Sequence, residues 1–396
     1  MVEVFLDTRL PMPNSPTHHP LSRPQLDAAI DLALAEERLV GAVVLVAQHG
    51  ELAYARAAGF SDREAGLPMQ QDALFRLASV SKPIVTTAAM VLVEQGRLGL
   101  DDAVHRWLPE FRPPLPEGQV AHITVRQLMT HTAGLGYRFL ETDVNGPYAR
   151  AVVSDGMDRV GISLAENLRR LATVPLLYTP GTAWGYSLGI DVLGGVIEAV
   201  CEQSLAVAVD ELVTAPLGLR DTAFHAIQPE RLATAYVSSR PRPRRMDVRE
   251  TVTPFDGLVG IQFDLDRALD PSAFPSGGAG MVGTASDFLH LLETLRQGGA
   301  PLLSAGTIAE MGRNQTGVWG PPDGPGYGFG LGFSVLHDPV AAGSPESPGT
   351  WRWGGAYGHS WFVDPVRGLS VVAFTNTLYE GMSGSFVAQL RDAVYA

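Results

Sequence analysis

The sequence predicts an α/β (α+β) fold: an antiparallel sheet built from both termini, flanked by helices, with an inserted, mainly helical lobe. Three observations predict it. Strand-like runs gather at the two ends of the chain, at residues 39–47 and 51–58 and again at 328–336, 350–355, 359–364 and 369–375. Between them the pattern is helical and punctuated by Pro and Gly. No internal repeat or low-complexity tract breaks this order. At 396 residues and 45% hydrophobic content, the chain can bury the core such a body needs. The predicted division is an α/β part of residues 22–80 and 328–396, a lobe of residues 81–327 with surface excursions, and an N-terminal arm of residues 1–21.

Taken in order, Ser22-Arg-Pro-Gln-Leu26 opens a helix with Leu26, Ala29, Ile30, Ala33 and Leu34 on one side. Leu39 to Ala47 has the unbroken apolar run of a buried strand, and His49-Gly50 turns it into the strand from Glu51 to Ala58. Ile84, Val85, Ala88, Ala89, Val91 and Leu92 recur at helical period, with Pro83 fitting a first turn and Gly96 a stop. Short helices are expected at 125–130, 164–172, 188–202 and 204–214, and a long surface excursion at 240–275, where Pro, Asp and Arg are dense. Ser286-Asp287 reads as the cap of a helix over 287–296. Asp364-Pro-Val-Arg-Gly368 is the turn joining the last two strands, and a helix over about 382–394 closes the chain. One sheet drawn from both termini leaves Ser79 at the seam with the lobe, where clefts form.

Composition narrows the function. A net charge of −13 argues against a nucleic-acid or anionic-membrane surface. The one dense basic stretch, residues 240–245, is broken by prolines and reads as a solvated loop. Cys201 is the single cysteine, so no intrachain disulfide can form; together with an N-terminus lacking a basic, then apolar, leader pattern, this suits the cytoplasm. Cys201 lies in an apolar helical pattern and reads as an inert core thiol. No apolar run approaches a membrane span. The ten histidines hold one adjacent pair, His18-His19, and no metal-ligand spacing, so neither a metal nor another cofactor is expected.

The chemical signal is Ser79-Val80-Ser81-Lys82. Lys and Arg total 29, and Lys82 is the only lysine among them. A guanidinium stays protonated in proteins, whereas an amine can be freed by desolvation and act as a base. Ser79 and Lys82 fall at or near a helix N-terminus. An i,i+3 pair there shares a face at about 5–6 Å between Cβ atoms, first-turn N–H groups can bind an oxyanion, and the helix dipole and burial disfavour an ammonium. The alternative is an N-capping serine beside a snorkelling lysine. Tyr186 sits on a turn just before a helix and could relay a proton to Ser79, or simply pack there. His131 and His359 read as hydrogen-bonded structural histidines. The glycine-dense stretch from Trp351 to Trp361 implies close backbone approach, and an N–H within it could complete an oxyanion hole. Gly358-His-Ser360-Trp-Phe362 nearly matches a nucleophile elbow but ends in Phe, precedes a strand, and has no histidine after it; an α/β-hydrolase is rejected.

Five stretches together carry a resemblance: Phe75 to Pro83, Leu128-Met-Thr-His-Thr-Ala-Gly-Leu135, Trp184-Gly-Tyr186-Ser-Leu-Gly-Ile-Asp191, Pro275-Ser-Gly-Gly-Ala-Gly280, and Trp353 to Trp361. The chain resembles the serine β-lactamase and penicillin-binding-protein superfamily, and most of all the family VIII carboxylesterases, which are similar to class C β-lactamases. The resemblance implies a β-lactamase-like fold, Ser79 as nucleophile, and Lys82 with Tyr186 as a coupled general base and acid. It also implies an oxyanion hole from the N–H groups of Ser79 and Ala356, and substrate contacts from Tyr137, Trp353, Gly354 and Gly355. Two departures bear on substrate. Leu188 stands where β-lactamases carry Asn, and Trp353-Gly354-Gly355 replaces a Lys-Thr-Gly or His-Thr-Gly. β-Lactams and peptidoglycan stems carry a carboxylate that wants a fixed cation; an indole there favours neutral, apolar esters. The expectation is a serine carboxylesterase for short-chain esters, with a small-molecule ester as partner. Its rivals are an acyltransferase, a weak β-lactamase or D-amino-acid peptidase, and a non-catalytic binding protein.

Overall fold

A strand that is apolar at every position needs cover on both faces, and the computed structural model, which describes residues 21–321 and 324–396, supplies it. The predicted arm lies, but for Leu21, outside the described residues. The elements that frame the site are α1 (Arg23–Ala35), β1 (Gly41–Gln48), β2 (Glu51–Asp62), β3 (Leu67–Pro68), α2 (Ser81–Glu94), α3 (Gly189–Cys201) and α4 (Ala285–Arg296), followed by β4 (Tyr327–Phe329), β5 (Ser334–Leu336), β6 (Trp351–Gly355), β7 (His359–Asp364), β8 (Leu369–Thr375) and α5 (Ser385–Tyr395).

The eight strands form one antiparallel sheet in the order β4-β5-β6-β7-β8-β1-β2-β3. The two ends of the chain meet at β1 and β8, in a register running from Ala42 opposite Thr375 to Gln48 opposite Leu369. Side chains alternate across a strand. Ala42, Val44 and Val46 therefore pack with Leu26 and Ile30 of α1 and Phe386 and Leu390 of α5. Val43, Leu45 and Ala47 face the opposite way, into a cluster with Phe288 and Leu292 of α4. Leu45 is 1% exposed, so truncating it to Ala would cost about 2–5 kcal/mol. The fold is thus the predicted α/β arrangement, one sheet from both termini.

That same cluster continues through α2 and α3. Every residue of α2 from Ser81 to Leu92 is buried, which is why its sequence is apolar on all sides. A 3-10 turn, Ala78–Val80, leads into it. Ala78 holds φ at 47°, a left-handed conformation that costs a non-glycine residue about 1–2 kcal/mol. The strain sits one residue before Ser79.

Several local expectations are corrected. Residues 328–336 are two strands, because Gly332, at φ 95°, folds the segment back on itself as a hairpin. The strand from Glu51 runs on to Asp62, where it pairs with β3. The helix expected over 204–214 breaks into Leu205–Val209, a π turn and Ala215–Leu217; Pro216 has no N–H with which to continue an α ladder. α4 starts earlier than expected: Thr284 Oγ1 accepts the Asp287 N–H at 3.1 Å and is the cap. Asp287 instead accepts from Asp221 N–H and the Thr222 hydroxyl. The closing helix is interrupted by the extended Gly384 and begins at Ser385. The 240–275 excursion folds partly back: Arg249–Val252 pairs with Ile261–Asp264, and Arg267 is buried. Cys201 ends α3 half-buried rather than in the core.

Candidate active site

The turn and first residues of α2 bring Ser79 and Lys82 together. Ser79 Oγ shares a hydrogen bond of 2.6 Å with the Tyr186 hydroxyl and lies 3.2 Å from Lys82 Nζ. Lys82 is fully buried and donates to the Gly278 carbonyl oxygen at 2.8 Å. Neither half of the alternative reading survives: the lysine does not snorkel, and no side chain caps the helix.

Tyr186 is held by its ring, leaving its hydroxyl for Ser79. Tyr137, Trp353 and His131 pack around that ring at centroid distances of 5.0, 5.4 and 4.9 Å. Lys82 Nζ lies over the same ring at 4.7 Å and over the Tyr137 ring at 5.5 Å. His131 Nδ1 is bonded to the hydroxyl of Ser187, the next residue along from Tyr186, at 3.1 Å. Burial, then the Lys82 charge, hold His131 well below the usual imidazole range, so it stays neutral. Burial, then the Tyr186 and Asp191 charges, push the Tyr137 phenol well above its ordinary value. Tyr137 is only 4% exposed, so it backs the site rather than opening onto solvent. The loop carrying it is fastened by Asp155, which accepts the N–H groups of Arg138 and Phe139 at 2.9 and 3.0 Å. Burial pushes that carboxyl up to about 7.

The glycine-dense strand forms the opposite wall. Trp353 is half-buried and meets Phe329 edge-on at 5.2 Å. Arg352, its neighbour, pairs with Glu346 at 2.8 Å on the other side of the strand. Gly355 has no Cβ because one would collide with the Leu77 carbonyl oxygen; this close approach brings the end of β6 beside the turn bearing Ser79. A Cβ on Gly354 would meet the His359 carbonyl at 2.6 Å, within its own hairpin. Ala356 is buried in the turn between β6 and β7, and its carbonyl accepts the Tyr379 N–H at 3.3 Å. His359 Nε2–H donates to the Arg76 carbonyl at 2.9 Å, and burial lowers its pKa to about 4. Each of the two histidines is thus hydrogen-bonded through one ring nitrogen, as expected.

Sequence reasoning missed what faces Lys82 from the other side. The strap from Pro275 to Gly280 provides the Gly278 carbonyl, and Ser276 Oγ–H donates to Asp191 Oδ1 at 2.6 Å. Its glycine density was the available signal. A Cβ on Gly277 would lie 2.6 Å from the Ile190 carbonyl, and one on Gly278 would collide with Asp191 Oδ2. Among the described residues, no group of three His, Cys, Asp or Glu side chains is arranged to hold a metal ion.

Known proteins carry the same arrangement of sequence and fold. The Beta-lactamase family matches residues 26–396. Esterase EstB of Burkholderia gladioli is 52% identical over 374 residues, 94% of this chain and 95% of that protein. Lovastatin esterase of Penicillium rubens is 26% identical, over 93% of this chain and 96% of that protein. The solved structure of "EstCE1, a hydrolase with promiscuous acyltransferase activity" superposes with a TM-score of 0.90 at 46% identity, covering 94% of this chain and 98% of its own. What the five motifs suggested as a likeness is therefore a membership, and this chain belongs to the beta-lactamase family.

Proposed function

We propose that this protein is a serine carboxylesterase that hydrolyses short-chain carboxylic esters through an acyl-enzyme on Ser79. The observation that carries the reading is a single contact group: one hydroxyl with a phenol at 2.6 Å and a buried lysine nitrogen at 3.2 Å. Lys82, as the free amine, takes the Ser79 proton while Ser79 Oγ attacks the ester carbonyl. The N–H groups of Ser79 and Ala356 receive the oxyanion; the close approach of Gly355 to Leu77 supports this pairing. Tyr186 relays a proton to the alcohol oxygen as the C–O bond breaks. Water then attacks the acyl carbonyl, and the carboxylic acid and free Ser79 are released. Lys82 and Tyr186 work as one coupled pair, with proton transfer worth about 10²–10⁴ in rate.

Substrate follows from the wall. Trp353, backed by the buried Phe329, offers apolar surface where a cation would anchor a carboxylate, so neutral esters are the substrates, with Tyr137, Trp353, Gly354 and Gly355 around them. The name and identity of esterase EstB support hydrolysis. The promiscuous acyltransferase activity ascribed to EstCE1 favours a second reading, in which an alcohol replaces water at deacylation. No cofactor takes part. Among the described residues no single helix is long and apolar enough to cross a membrane; the cytoplasm is the proposed location.

The test is hydrolysis of p-nitrophenyl butyrate by the wild type and by Ser79→Ala, with fluorophosphonate labelling to find the reactive serine and nitrocefin alongside. Turnover and labelling that both vanish in Ser79→Ala support the assignment. Turnover that survives in the variant refutes it. Adding an alcohol and counting ester against acid products separates hydrolysis from acyl transfer.

A further inference from the structure

Lys82 Nζ meets two oxygens, and they differ in kind. Ser79 Oγ both donates and accepts, and the proposed chemistry moves its proton. The Gly278 carbonyl only accepts. At 2.8 Å it is the closer of the two, against 3.2 Å for Ser79. One N–H directed at Gly278 fixes rotation about the Cε–Nζ bond, and the tetrahedral nitrogen then presents another position to Ser79. Where that carbonyl points decides how Lys82 is aimed.

The carbonyl belongs to a strap of Gly277, Gly278, Ala279 and Gly280, with little side chain to hold it. It is held from α3 instead. Asp191, in the first turn of α3, is fully buried and accepts from Ser276 Oγ–H at 2.6 Å. The other oxygen of this carboxylate, Oδ2, lies against Gly278, where no Cβ could fit, and has no hydrogen-bond partner among the described residues. Within the strap, Ser276 O accepts the Gly280 N–H at 2.9 Å. From the other side, the Ser81 hydroxyl accepts the Met281 N–H at 3.1 Å, so α2 and α3 grip the strap between them. Asp191 also follows Tyr186 by five residues and opens the helix that begins just after it. One carboxylate therefore ties the phenol's segment to the carbonyl facing the lysine. Burial raises the pKa of Asp191, opposed by the Ser276 bond and then by the Lys82 charge. A buried carboxylate is costly unless it is hydrogen-bonded, and a packing role alone would not require one.

We propose that Asp191 is a positioning residue for Lys82: through Ser276 and the Gly278 backbone it orients the carbonyl that aims the lysine nitrogen at Ser79. The inference rests on the proposed role of Lys82, and its test reads position apart from turnover. Because Lys82 is the only lysine, labelling with ¹³C,¹⁵N-lysine gives one side-chain signal. Held in place, its two ε-methylene protons are inequivalent. In Asp191→Ala and Ser276→Ala they should converge towards the shift of free lysine, and kcat for p-nitrophenyl butyrate should fall roughly 100-fold and 10-fold respectively, with KM within about twofold. Asp191→Asn keeps an acceptor for Ser276 and should keep the protons inequivalent, with kcat well above that of Asp191→Ala. Thermal melts of all three variants identify any that fail to fold, and Ser276→Ala, which removes one hydroxyl, tests the chain of contacts if Asp191→Ala does not fold. Inequivalent protons in folded Ser276→Ala would overturn the proposal, as would losses confined to KM or an Asn variant no better than Ala. A wild type that shows a held lysine yet no Ser79-dependent hydrolysis would instead overturn the esterase reading and leave the positioning intact.

Discussion

Tyr186→Phe removes one oxygen and keeps a ring. The ring does the packing, against Tyr137, His131 and Trp353, and a phenylalanine retains those contacts. The oxygen makes the 2.6 Å bond to Ser79. A hydrogen bond of this kind contributes about 1 kcal/mol net to folding, which in a chain of this size moves the melting temperature by about 2 °C or less. The loss in catalysis is of another order. If Tyr186 relays the proton to the leaving alcohol, its removal costs a factor within the general acid–base range of about 10²–10⁴, or about 3–5 kcal/mol of transition-state stabilisation. We expect kcat for p-nitrophenyl butyrate to fall about a thousandfold while KM and the melt stay near wild type. A variant within tenfold of wild-type kcat would show that the phenol is not the proton relay. A variant that melts far lower would show that the ring contacts depend on the hydroxyl.

Three further outcomes are expected. Lys82→Arg keeps the cation but cannot act as a base, and it forces a longer group into a fully buried position; ester turnover should fall at least about a thousandfold, and turnover comparable to wild type would remove Lys82 from the chemistry. Gly355→Ala sets a Cβ against the Leu77 carbonyl; the shift in the turn bearing Ser79 should cost about 1–3 kcal/mol of stability and about 100-fold in kcat, measured by urea unfolding and ester kinetics. His359 has a folded pKa of about 4 against an ordinary 6.5. The unfolded chain therefore binds the proton first, and stability present above pH 6.5 is lost as pH falls towards 4, by roughly 3 kcal/mol at about 1.4 kcal/mol per unit. His359→Gln does not titrate, so its unfolding free energy should converge with that of the wild type by that amount between pH 7 and 4; parallel curves would refute the burial argument.

The strands were legible because a period of two, or an unbroken apolar run, is a local signal. β1 could be read as doubly covered before its covers were known. Where the reading slipped, a long-range or backbone effect decided. Gly330-Leu331-Gly332 reads as strand glycine until φ at Gly332 closes a hairpin. Thr284 caps α4 because Asp287, the more obvious candidate, is engaged by Asp221 and Thr222, 66 and 65 residues earlier. Ser79, Lys82 and Tyr186 were legible because a lone lysine three residues after a serine is a statement in residue types. The Gly278 carbonyl was not: every residue has a carbonyl, and this one comes from 196 residues away.

The neutrality of that carbonyl bears on why the lysine is held as it is. Both atoms within hydrogen-bonding distance of Lys82 Nζ, the Ser79 hydroxyl and the Gly278 carbonyl, are uncharged. A carbonyl accepts an N–H from an ammonium and from an amine alike, so it can keep the nitrogen in place through a full proton cycle. A carboxylate in direct contact would favour the charged form and oppose the step in which Lys82 must be the amine. In this chain the nearby carboxylate, Asp191, is instead set behind the strap, bonded to Ser276. The carboxylate is therefore not a direct partner competing for the nitrogen. Arginine could use the same carbonyl but could not complete the cycle, which accounts for lysine at this one position in a sequence that otherwise uses arginine throughout.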